Sequence, residues 1–478
     1  MLLILGITLI AAIINVITIK PDNHSYLKRV SLQWSFLILI ISTFIWFSLN
    51  INLSFQFNSC LSLSFYWTLI PFGVDSISLF FIFLSTLLIP ICILTSWNSI
   101  KFLVKEFLLC LLIIELLLIG VFTALDIIIF YILFEAILIP MFIIIGVWGA
   151  REQKIKAAYY FFFYTLFGSV FMLLAIFKLY SITGTTHFQV LLALDLPKNS
   201  QIWIFLGFFL SFAVKVPKLP FHIWLPQAHV EAPVAGSVLL AGILLKLGGY
   251  GFLRFSFPLL PEASQFFAPF IITLSLLAVI YGSLTTCRQT DMKRLIAYSS
   301  VAHMGLVTLA IFSGNLEGLT ASIFLMVAHG LVSSALFILV TVPYDRVGTR
   351  LIRYYRGLAI SMPLFASLFI LFTLANIALP LSCNFIGEFY ALIAAFKFNK
   401  LAGTLASVGI VLSAAYSLLL YNRISFGAPS SFTHLTRDLS RRETNVLITL
   451  VLPTYILGIF PSLLIAYTTP ELLLTYAN

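Results

Sequence analysis

The chain has 478 residues, of which 61% are hydrophobic and 9% charged, with a formal net charge of +10. Soluble domains carry about 25% charged residues, so the 27 basic and 17 acidic side chains present here cannot cover a soluble fold of this length. A water-soluble enzyme, a nucleic-acid binder and a disordered chain are excluded, and the composition predicts an all-α polytopic membrane protein, because the apolar runs are too long for barrel strands.

The first run, residues 2–19, has no basic segment before it and no small-residue cleavage pattern after it, so it reads as a spanning helix rather than a signal or transit peptide. Thirteen further apolar stretches long enough to span follow, near 30–49, 76–96, 106–124, 127–148, 157–180, 202–225, 232–256, 265–286, 295–313, 316–342, 360–396, 403–424 and 444–466. Numbering the loops alternately tests this count. Nineteen basic residues then fall on one side, five on the other (Lys178, Lys198, Arg254, Lys397 and Lys400), and three within spans (Lys215, Lys218 and Lys246). The positive-inside rule puts the richer side in the cytoplasm or matrix and both termini outside. Cys60, Cys92, Cys110, Cys287 and Cys383 form no CxxC, and no glycine-rich nucleotide fingerprint occurs. The cysteines read as small core residues rather than ligands of a metal or cluster.

Several spans carry one ionisable group near the middle: Glu115, Glu135, Lys215, Lys246, His303 and His329, with Glu388 in the second half of the twelfth. Each costs about 2.5–3.5 kcal/mol at the bilayer centre on insertion scales. A single such residue can be a packing contact. A row at one depth suits a relay in the membrane plane, because Glu, His and Lys can pass protons. His222 and His229 flank a proline-rich turn, where capping or packing is an equally good reading. His24, His187 and His434 read as loop residues. Glu115 needs a partner on another helix.

Two spans are interrupted. Residues 211–236 (SFAVKVPKLPFHIWLPQAHVEAPVAG) contain Pro217, Pro220, Pro226 and Pro233, with Lys215 just before the first. In the twelfth span Pro380 precedes Glu388 by eight residues. Proline removes a helix hydrogen bond, and such breaks occur at membrane depth where the backbone lines a cavity or is buried in protein. The simple alternative is a proline kink. Breaks five spans apart suggest discontinuous helices 7 and 12 in two inverted five-helix repeats. The predicted units are 1–105 (helices 1–3), 106–256 (helices 4–8), 257–424 (helices 9–13) and 425–478 (a basic loop and helix 14).

The segments 134–149 (FEAILIPMFIIIGVWG), 212–251 (FAVKVPKLPFHIWLPQAHVEAPVAGSVLLAGILLKLGGYG), 296–305 (IAYSSVAHMG), 326–337 (MVAHGLVSSALF) and 385–389 (FIGEF) resemble the antiporter-like membrane subunits of respiratory complex I, the proton-pumping NADH:ubiquinone oxidoreductase. These subunits are related to those of multi-component Na⁺/H⁺ antiporters. The similarity runs from about residue 70 to 425. Lys218 and Phe221 depart from the pattern. The resemblance implies fourteen helices, a Glu135–Lys215 charged pair, a central Lys246 and a terminal Glu388, with Glu115, His303 and His329 on polar positions. It implies no cofactor on this chain. NADH, FMN, iron–sulfur clusters and ubiquinone would be used by other subunits, and the partners would be neighbouring membrane-arm subunits and lipids. A proton would pass from Lys215 to Lys246 and through His303 to Glu388. The implied place is the mitochondrial inner membrane rather than a bacterial plasma membrane, with both termini toward the intermembrane space. A subunit of a Na⁺/H⁺ antiporter complex and a passive scaffold are the competing readings.

Overall fold

The computed structural model describes residues 1–50, 55–63, 68–430, 432 and 436–476, with the side chains of 57–70 and 474–476 left aside. Ten helices in it are long and apolar enough to cross a membrane, and an eleventh crossing results if the pair Arg441–Ile459 and Ser462–Leu473, bent by 66°, counts as one. The other three stretches expected to span are shorter or interrupted. The first helix, Leu2–Thr18, has 17 residues. The seventh stretch stops at Lys215 and resumes at Trp224, and the twelfth stops at Asn376 and resumes at Cys383. His434 and the side chain of Cys60 lie outside the described residues.

The all-α expectation needs one correction. Strand β1 (Gln56–Leu63) pairs antiparallel with strand β2 (Thr68–Val74), with an irregularity between Gln56 and Ser59. From residue 61 the stretch LSLSF alternates apolar and polar residues with a period of two, the pattern of a strand rather than of a spanning helix. The hairpin docks on the turn after helix Val104–Thr123: Leu125 N–H donates to Pro71 O at 3.1 Å, and Phe72 bridges Ala124. Asp126 caps the next helix through Ile128 N–H and also accepts from the Thr186 hydroxyl, both at 2.8 Å. His187 is held in this layer by its bridge to Asp126. His24, expected in a loop, is the first residue of helix His24–Ser48.

Lipid offers no hydrogen bonds, so the helical backbone satisfies itself. Hydroxyls follow the same rule: Ser299 and Ser333 bond back to the carbonyls of Ile296 and His329. The helix beginning at Pro363 has no side-chain cap of its own. Asp438 supplies one from the loop, accepting from Leu364 N–H at 2.9 Å and Phe365 N–H at 3.2 Å. At the periphery, helices such as Lys154–Thr183 expose Tyr159, Phe163, Phe167 and Phe177, as a lipid-facing or subunit-facing surface must.

At the centre are two helices buried along their whole apolar length, Val234–Leu259 and Leu316–Val347. Small residues let them touch. A Cβ on Gly330 would stand 2.9 Å from the Gly242 carbonyl oxygen, and one on Gly242 would stand 2.8 Å from the Ser334 hydroxyl. A Cβ on Gly248 would stand 2.8 Å from the Phe212 carbonyl oxygen, just before the break after Lys215. Without water to drive them together, membrane helices gain from such close backbone packing. Replacing Gly330 by Val should therefore destabilise the chain by about 1–3 kcal/mol through overpacking. Thermal inactivation of the membrane preparation measures this, and an unchanged profile with normal expression would rule out so close an approach.

Candidate functional site

Around the first break the chain turns on a few backbone contacts. Helix Lys198–Lys215 ends with Val216 N–H donating to Phe212 O at 2.7 Å, and Lys218 N–H reaches Ala213 O at 3.0 Å. Pro217 and Pro220 occupy the non-helical stretch, and the Leu219–Pro220 peptide is cis. Trp224 Nε1 donates to Val214 O at 2.9 Å, closing the break from the other side. Lys215 is buried. Its ammonium donates to Phe134 O at 3.1 Å and sits 3.6 Å from the centre of the Phe134 ring. Glu135, on the adjacent residue, lies within electrostatic reach of Lys215 and near Tyr131 and Ser169. Among the described residues no ion pair shorter than 4.0 Å joins Glu135 to Lys215. Glu115 is fully buried and its carboxylate oxygens make no hydrogen bond among the described residues, with Cys92 close by.

The central groups form a file. Lys246 is completely buried between two π-helical turns, Leu240–Leu244 and Phe252–Ser256. Such turns are rare and often mark functional positions. Its amine donates to Ala241 O and lies 2.8 Å from His329 Nδ1. The His329 and His303 rings are 5.6 Å apart. His303 Nδ1 is 2.9 Å from Glu388 Oε1, at ion-pair distance but without hydrogen-bond alignment. Lys246, His329, His303 and Glu388 come from four helices and are each at most 2% exposed.

The second break leads into the Glu388 end of the file. Ala378 (φ 64°) and Leu381 (φ 81°) bracket Pro380, both in the left-handed region that side chains other than glycine avoid. Strain of this kind concentrates at functional sites. Asn384 lies one turn before Glu388, buried, with neither side-chain amide atom hydrogen-bonded among the described residues. The remaining sequence candidates stand beside the file. The His229 ring stacks on Phe337 with centres 4.6 Å apart, close to Lys246 and Lys293. His222 faces Tyr281 and Tyr298 near the first break.

Several buried charges were not legible as site candidates. Arg254, Lys293 and Arg350, assigned to loops by position, are at most 3% exposed. Arg254 pairs with Asp75, Arg350 lies 3.8 Å from Glu231 and donates to Val230 O, and Lys293 donates to Ala232 O at 3.1 Å. Lys218 is buried against the Phe312 ring at 5.9 Å, and its amine makes no hydrogen bond among the described residues. Only Arg254 carried a usable signal: it follows Lys246 by eight residues, on one helix face. Among the described residues no group of three or more His, Cys, Asp or Glu could hold a metal ion.

Residues 124–413 match the family model described as NADH:quinone oxidoreductase/Mrp antiporter, TM. The NADH-ubiquinone oxidoreductase chain 4 of Metridium senile is 61% identical over 96% of this chain and 94% of its own length. That of Arabidopsis thaliana is 52% identical over 92% and 90%. A chain in the structure of respiratory complex I from Thermus thermophilus with bound NADH aligns over 100% of this chain and 99% of its own, with a TM-score of 0.90 and 29% identity. A chain of the Mrp complex from Dietzia sp. shares the fold, with a TM-score of 0.85 at 20% identity over 98% of this chain and 52% of its own. The chain belongs to the NADH:quinone oxidoreductase/Mrp antiporter transmembrane family, within its NADH-ubiquinone oxidoreductase chain 4 branch.

Proposed function

We propose that this chain is a proton-translocating core subunit of the membrane arm of a respiratory NADH:ubiquinone oxidoreductase in the mitochondrial inner membrane. The observation that carries this reading is the buried file Lys246–His329–His303–Glu388, which gives a proton successive stations across four helices. Electron transfer from NADH through FMN and iron–sulfur clusters to ubiquinone takes place in other subunits of the complex, and this chain's membrane-arm partners include neighbouring antiporter-like subunits. This chain contributes the apolar enclosure and the titratable groups.

In this mechanism Glu135 controls Lys215. Beyond 4 Å a unit charge is worth up to about 4 kcal/mol at an effective dielectric of 20. A change in the position or charge of Glu135 is therefore enough to decide whether Lys215 keeps or releases its proton. The released proton passes to Lys246. The 2.8 Å contact hands it to His329, and His303 carries it to Glu388. Glu115, His222 and His229 shape the field around these stations. The two interruptions act as discontinuous helices 7 and 12 of inverted repeats 106–256 and 257–424, flanked by 1–105 and 425–478. Loop charges favour termini in the intermembrane space.

Replacing Lys246 by Met should abolish most NADH-driven proton pumping by vesicles carrying the assembled complex, because it removes the amine in contact with His329 Nδ1. Full pumping with normal assembly would sink the relay. His303→Asn and Glu388→Gln should each lower the ratio of protons pumped to electrons transferred, and the double variant should lose no more than the worse single one, since the two act in one step. Additive losses would place them on separate routes. The antiporter reading retains the shared fold with the Mrp chain, and a strict Na⁺ requirement for pumping would favour it.

A further inference from the structure

We propose that Asp75 and Glu471 share one proton, charge-balanced by Arg254, and form the outer station of a branch that leaves Lys246 along its own helix. The inference rests on Lys246 being a proton carrier.

Lys246, Tyr250 and Arg254 follow one another at four-residue intervals, so they line one helix face over about 12 Å. Tyr250 is fully buried, with Phe81, Phe122 and Phe130 around its ring, and its hydroxyl donates to Phe122 O at 3.0 Å. One turn further, the Arg254 guanidinium pairs with Asp75 Oδ2 and lies between the rings of Phe55 and Phe188, at 4.4 and 5.0 Å. Its Nε has no hydrogen-bond partner among the described residues. Asp75 closes the start of helix Ser76–Thr95, with Oδ1 accepting from Ser78 N–H at 2.9 Å. Glu471, from the last helix, sets its buried carboxyl beside that of Asp75 and lies within electrostatic reach of Arg254 and Tyr250. Both carboxyl groups are fully buried.

Two buried carboxylates side by side do not both remain ionised; one of them holds a proton. With that proton the cluster of two carboxyl groups and one guanidinium is neutral, the form in which it can be buried. The carboxyl O–H gives its proton to water on the outer side, and the proton that leaves Lys246 as its ammonium becomes an amine replaces it, so the pair holds one proton before and after the transfer. A purely structural clamp between helix Ser76–Thr95 and the last helix would require no proton exchange with Lys246.

Infrared difference spectra of the intact membrane-embedded complex, wild type against Glu471→Gln and separately against Asp75→Asn, test the shared proton. The expected result is loss of one protonated-carboxyl band at neutral pH in either variant, with a lower proton-to-electron ratio. Arg254→Lys, which keeps the charge, should retain the band. A band absent from the wild type or unchanged in the variants would overturn the shared proton. Loss of the band with full pumping would overturn the branch. Lys246→Met separates the two levels of argument: if it pumps normally, the underlying relay fails, whatever the carboxyl band does. If it fails to pump while Glu471→Gln pumps at the full ratio, only the branch fails.

Discussion

The structure depends on the cost of placing charge in an apolar medium. A lone ammonium in the bilayer centre is expensive, and Lys246 meets that cost with one carbonyl and one imidazole. The carbonyl, of Ala241, lies on the same helix, but the imidazole would be out of reach if the two central helices did not touch at Gly242 and Gly330. The absence of two side chains thus fixes a polar contact one to two turns away. Helix packing and proton chemistry are here one constraint, because the spacing that joins the backbones also joins the amine to the ring.

The same economy governs the breaks. A backbone released from helical bonding must be satisfied within the protein. At the first break Trp224 and the carbonyls of Phe212, Ala213 and Val214 do this. At the second, strain is retained at Ala378 and Leu381. Lys215 lies at the edge of one break and Glu388 one to two turns beyond the other. Each charged group therefore borders a segment whose geometry is less fixed than a helix.

Much of this was legible in the sequence because charge is so scarce. With few ionisable residues in apolar runs, Lys246, His303, His329 and Glu388 stood out by position, and the structure brings them into one file. What sequence could not supply was partnership. Arg254, Lys293 and Arg350 look like loop charges because they sit near helix ends, yet folding buries each against a carboxylate or carbonyl far away in the chain. The hairpin was missed for a different reason: its apolar content is ordinary for this chain, and only the period-two alternation distinguishes it. The Glu135–Lys215 pair shows the converse case, where residues suited to an ion pair are close but Lys215 is turned to the carbonyl and ring of Phe134.

Helix Leu316–Val347 has 32 residues and so measures about 48 Å, against a hydrocarbon thickness of about 30 Å. It is a rod longer than the layer it crosses, and His329 lies about 27 Å from its C-terminal end. A tilt of about 2° pivoting on that end displaces His329 by about 1 Å, and a hydrogen bond does not survive that stretch. By that leverage a small push on one helix end would be enough to make or break the Lys246–His329 contact, with no side chain in between having to change its rotamer.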